Sequence, residues 1–96
     1  MDKRLEAFSS ALKERPVENY KDLGRQLRNL IVDFPEEAND VIKRSLEDLG
    51  DLERGWIILR IHQEATRVIH EELLSILDRT RSPPARARFW FKAFGP

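Results

Sequence analysis

Apolar side chains recur at steps of three and four along most of this chain, the spacing that lines up one face of an α-helix. Leu5, Phe8, Ala11 and Leu12 form the first row, with Lys3, Arg4, Glu6, Lys13 and Glu14 on the other sides. Pro16 closes it, because the residue before a proline avoids the α region. Val17, Tyr20, Leu23, Leu27, Leu30, Ile31 and Phe34 make a second row that ends at Pro35. Proline also suits the first turn of a helix, where its missing N–H costs nothing, and Glu36 and Glu37 follow where the helix dipole favours acids. Ala38, Val41, Ile42, Leu46 and Leu49 form the third row, with Gly50 read as a left-handed residue closing it. The pattern predicts helices over about residues 2–15, 17–34 and 36–49.

The fourth segment, residues 51–80, is different. Asp51 is placed to cap its start. At 100° per residue, Glu53, Arg60, Glu64, Arg67, Glu71 and Asp78 fall in one narrow strip, and Arg60–Glu64 and Arg67–Glu71 are opposite charges four apart. Much of the remaining circumference is apolar, from Leu52 and Trp56 through Ile61 and Val68 to Leu77. A helix that is apolar on most sides is normally surrounded by others. The fold class that follows is all-α: a four-helix bundle-like domain, residues 1–81, with a long and largely buried fourth helix.

Length adds a further expectation. The first three helices run roughly 20–26 Å and the fourth about 45 Å at 1.5 Å per residue. Three short helices do not cover all of it. Either it bends near Gly55, or its excess apolar surface meets a second copy or another partner. Twofold dimers are the commonest way to bury such a surface, so a homodimer is expected.

Charge and aromatic content change the picture only at the end of the chain. The formal net charge is zero, yet all 17 acidic residues precede Arg79. Arg79, Arg81, Arg86, Arg88 and Lys92 make the end net +5 and leave residues 1–78 net −5. After Pro83 and Pro84, which stiffen the connection, come Phe89, Trp90, Phe91 and Phe94, half of the aromatic residues in the chain. Residues 82–96 are therefore read as a Pro-Pro-led basic-aromatic tail. Four aromatic rings carry roughly 600–1,000 Å², more than the ~300–600 Å² of the largest apolar patch on a typical monomer. Something must cover them: a groove of the bundle, a protein partner, or a polyanion on which rings stack while the cations neutralise phosphates. The acidic body works against nucleic acid. Peripheral membrane contact through the same groups is the weakest of these, and no run of about 18 apolar residues is present to span a bilayer.

Candidate chemistry is sparse. There is no cysteine, which removes disulfides, thiolate metal sites and a cysteine nucleophile. That and a charged opening without an apolar stretch place the chain in the cytoplasm. His62 and His70 are eight residues apart, twice the step that puts two zinc ligands on adjacent turns, and no second histidine completes a zinc-protease motif at His70. No metal or other cofactor is expected. His62 projects almost opposite the charged strip, toward the core or an interface. Arg54, Glu72 and Arg79 also leave the strip, either snorkelling to water or pairing across a helix or subunit interface. The adjacent acids Glu36/Glu37, Glu47/Asp48 and Glu71/Glu72 fit solvated helix faces, and the glycines form no phosphate-cradling loop.

The function these features support is non-enzymatic: an adaptor, an inhibitor or a small subunit of a larger assembly. It binds a protein partner through a helical face and a tail comprising Arg86, Arg88, Phe89, Trp90, Phe91, Lys92 and Phe94. The alternative is a nucleic-acid-associated protein using the same tail. A weaker one is a small enzyme with a site around His62 and Glu72.

Overall fold

The computed structural model describes residues 2–80, and within them the chain is all-α. Four helices follow in order, α1 (Lys3–Lys13), α2 (Tyr20–Asp33), α3 (Pro35–Ser45) and α4 (Asp51–Thr80). The tail calls, from Ser82 onward, lie outside the described residues.

Each helix starts for a local reason, and some starts differ from the sequence expectation. The Asp2 carboxylate accepts from the Arg4 backbone N–H at 2.8 Å and caps α1, as short acidic side chains do at N-caps. The second helix begins at Tyr20, not at Val17. Asn19 sits in the left-handed region with φ 58°, a conformation that asparagine tolerates better than most residues. Val17 is nonetheless buried, so an apolar residue in the loop extends the helical row without being helical. Phe34 serves two helices at once. Its N–H donates to the Leu30 carbonyl at 2.6 Å, closing α2, and its own carbonyl accepts from Ala38 at 2.9 Å, opening α3.

The third helix stops at Ser45, four residues short of expectation, and Leu46 to Leu49 continue as a turn closed by Leu49 N–H on the Leu46 carbonyl at 3.1 Å. Leu46 is fully buried there, which again mimics helical spacing. Gly50 does not take the left-handed conformation expected of it. Its carbonyl instead accepts from Arg54 N–H at 2.9 Å and starts α4. Asp51 is then the first helical residue, and its carboxylate pairs with the Arg54 guanidinium one turn on.

Phe8, Leu12, Leu23, Leu30, Ile42, Leu46 and Ile61 are the large side chains sealed completely from water. Each contributes about 1.5–3 kcal/mol on burial. The closest helix pair is α2 with α4, while α1 closes over α2 and α3. Gly24 explains the close approach. A Cβ at Gly24 would collide with Glu64 Cβ and lie 2.8 Å from the Ala65 backbone nitrogen, so the two backbones meet where glycine faces alanine. Polar ties hold α1 to the rest. Arg15 donates to the Asp48 carboxylate at 2.6 and 3.2 Å and to the Ser45 carbonyl at 2.8 Å. Those donated hydrogen bonds hold the Asp48 carboxyl below its usual range.

The burial expected of α4 is overturned as well. The fourth helix is not largely buried: Ile57, Ile61 and Ala65 are its buried residues. It runs from Asp51 to Thr80 without interruption at Gly55, which stands in open space. Among the described residues no helix is long and apolar enough to cross a membrane.

Candidate functional site

The outer face of α4 is the feature that the fold leaves unfinished. Ile57, Ile61 and Ala65 point inward to α2, with Ile58 packed beside them. Away from that side Leu52, Trp56, Leu59, Leu73, Leu74 and Leu77 are exposed to water, and Ile69 and Ile76 are exposed on the flank nearer α2. Leu52 keeps 92% of its surface and Leu73 55%. Single exposed apolar residues are ordinary, but two groups of them on one helix, Leu52–Leu59 and Ile69–Leu77, make a candidate contact surface.

Two residues of α2 extend this surface. Ile31 and Val32 lie exposed at the end of α2 and, with Ile69, Leu73 and Ile76, line a groove of about 310 Å³ between the two helices. Arg28 and Glu72 border it. Arg28 donates from Nε and Nη2 to one Glu72 oxygen, at 2.9 and 2.6 Å. The pair spans α2 and α4, and Glu72 thus lies at a helix interface. Neither side chain is deeply buried, so the pair sets registry more than it adds stability.

The other three polar candidates take different positions. Arg54 is half-buried and engages Asp51 on its own helix. Arg79 is exposed on the last turn. His62 is exposed and therefore not a core residue, because α2 approaches α4 from a different side. Its Nδ1 lies 2.8 Å from the Ile58 carbonyl, which can only accept, so Nδ1 carries the proton. His62 borders a second groove with Leu27, Ile31, Pro35 and Ile42. It stands ten residues from Glu72, about 15 Å along the helix axis, and the two do not converge. Arg86, Arg88, Phe89, Trp90, Phe91, Lys92 and Phe94 lie outside the described residues.

The charged strip of α4 is also reassigned. Arg60 stacks over the Tyr20 ring at 4.6 Å, and Glu64 is taken by Arg67 at 3.9 Å, three residues on rather than four. Its upper members thus border α2 instead of standing free in water. A third groove, about 580 Å³, lies between α1 and α3 with Leu5, Phe34, Val41 and Ser45 in its wall. Its rim mixes Asp2, Glu37 and Asp40 with Lys13 and Arg44, so it favours no charge class of ligand. Ser45 Oγ is buried beside it without a hydrogen-bond partner. Among the described residues, no three of His, Asp and Glu come together as a metal site.

Arg28, Ile31 and Val32 are residues of the groove between α2 and α4 that sequence reasoning did not single out. The signal was present in Ile31-Val32, since adjacent residues on a helix cannot both face the same core. The chain matches no protein-family model, no curated protein and no solved structure.

Proposed function

We propose that this chain is a non-enzymatic protein-interaction module, an adaptor, inhibitor or small subunit of a larger assembly. The four helices act as a bundle-like scaffold that holds α4 out as a docking rail, and the basic-aromatic tail is a second contact element. The observation that carries this reading is the row of exposed apolar residues along α4, from Leu52 to Leu77. Supporting it, Arg28 and Tyr20 tie α4 to α2 through Glu72 and Arg60, and the exposed apolar residues lie outside those ties. Among the described residues, Arg4, Arg15 and Asp48 have displaced proton affinities, and they lie in exposed ion pairs. A cytoplasmic setting suits a chain without cysteine.

The test compares proteins retained by the full chain with those retained by Leu73→Glu and by the double change Trp90→Ala, Phe91→Ala. The expected result is a partner held by the wild-type chain and lost by both variants. Retention of the same proteins by both variants would sink this reading. The tail's alternation of cations with rings also suits single-stranded nucleic acid. Oligonucleotide binding that weakens steeply with salt and survives Leu73→Glu would replace the protein-partner reading with that one.

A further inference from the structure

We propose that the outer face of α4 is covered by a second copy of this chain, the two fourth helices packing antiparallel about a twofold axis near residue 64. This rests on the reading of that face as an interaction surface, and supplies its partner.

The spacing is the first argument. Positions 52, 55, 59, 62, 66, 69, 73, 76 and 80 alternate steps of three and four, and all nine are exposed. A strict seven-residue repeat keeps one seam turned toward a neighbouring helix, where the 3.6-residue helical repeat alone would drift around the axis. The seam runs beside the side that packs on α2 and shares its edge, where Ile69, Leu73 and Ile76 meet Ile31 and Val32, so a second helix laid on it would touch both α4 and the end of α2.

The residues at these positions select the orientation. In a parallel pair, His62 would face His62 and Gly55 would face Gly55, leaving a charged or polar layer and a void. A parallel pair with Leu at the first core position and Ile at the second also favours higher oligomers. In an antiparallel pair, Leu52 of one copy lies level with Ile76 of the other, Gly55 with Leu73, Leu59 with Ile69 and His62 with Thr66. Large residues then meet large, the missing side chain faces a leucine, and the two polar residues share one layer at the centre. At the rim, Asp51 lies two residues, about 3 Å along the axis, from the level of Arg79, within reach of a pairing of opposite charge. Leu52, touching almost nothing in the single chain, is brought toward the groove lined by Ile31, Val32, Leu73 and Ile76 of the other copy.

The seam carries Leu52, Leu59, Ile69, Leu73 and Ile76, with Ile31 and Val32 of α2 beside it, all exposed in the single chain. Sixteen residues of helix span about 24 Å, so segment 81–96 in that form would leave much of the roughly 42 Å from Leu52 to Thr80 uncovered. The antiparallel pair also sets the two Thr80 positions at opposite ends, about 48 Å apart along the axis. A partner with two suitably spaced sites would then be held by avidity.

Sedimentation equilibrium of the full chain tests this directly. The expected mass is twice that of one chain, falling to one for Leu73→Glu and for Leu52→Glu with helical circular dichroism unchanged. Leu52→Glu keeps the test decisive if Leu73→Glu disturbs folding. A monomer at all concentrations up to hundreds of micromolar, or a dimer that survives both changes, overturns the proposal. Orientation is read from engineered cysteines in this cysteine-free chain. Leu52→Cys alone should not form a disulfide-linked dimer, whereas Leu52→Cys with Ile76→Cys should. Cross-linking by the single variant, or none by the double, overturns the antiparallel arrangement. Dimerisation without tail-dependent partner binding would overturn the proposed function alone; a monomer that still binds a partner through Leu73 and Trp90 would overturn this inference alone.

Discussion

The two sides of α4 are built from the same residue types and meet opposite fates. The inner side presents Ile57, Ile61 and Ala65, all sealed against α2. The outer side presents Leu52, Leu59 and Leu73, all in water. Hydrophobicity does not separate them. What separates them is the partner surface: α2 brings Leu23, Leu27 and Leu30, and above all Gly24, which lets the two backbones close. A helix becomes core where a neighbour can reach it. The outer side has no such neighbour within the described chain, which is why it is the candidate contact surface.

The contrast is broken most severely by exchanging equivalent changes between the two sides. Ile61→Ala removes a fully buried side chain, and such truncations cost about 2–5 kcal/mol. Leu73→Ala, on the exposed side, should stay within about 0.5 kcal/mol at monomeric concentrations. Urea unfolding at low micromolar protein, with both midpoints referred to the wild-type chain, measures the difference. Equal losses would mean that the inner face is not the structural one.

Gly24→Ala gives the next effect. Alanine is better than glycine in a helix by about 1 kcal/mol, so intrinsic propensity predicts stabilisation. The collision with Glu64 Cβ and the Ala65 backbone cannot be relieved by turning a flexible side-chain tip. Overpacking costs about 1–3 kcal/mol and should win, giving a lower melting temperature. A raised melting temperature would show that α2 and α4 separate at little cost.

These residues also mark how far the sequence was legible. The existence and type of all four elements followed from helical spacing, and so did the start of α4 at Asp51. Boundaries failed where an apolar loop residue kept the helical step, at Val17 before α2 and at Leu46 and Leu49 after α3. Gly24 gave no warning, since a small residue in an apolar row looks like a gap in it until the opposing helix is known. Burial of α4 was misjudged because a helix apolar on most sides permits either many neighbours or one strong neighbour and an exposed face. The seven-residue seam was hidden by overlap with the α2-facing row, and emerges once Ile57, Ile61 and Ala65 are assigned inward. Glu72 was legible as a polar residue out of place, but its partner Arg28 was not, being 44 positions away.

The smallest effect belongs to that pair, which stands on the border between the two sides. Arg28 and Glu72 keep 32% and 43% of their side-chain surface, so screening by water limits their coupling. A double-mutant cycle of Arg28→Ala and Glu72→Ala should give about 0.2–1 kcal/mol at low protein concentration, diminishing as salt is added. The outer partner would change this result. Glu72 flanks the antiparallel seam, and a second copy laid along it removes water from the pair. Loss of one member of a buried pair leaves an uncompensated charge and costs more than loss of an exposed one. The coupling should therefore grow with protein concentration across the range in which the chain dimerises. A coupling that is the same in the monomer and the dimer would place the interface away from Glu72 and force the seam to another side of α4.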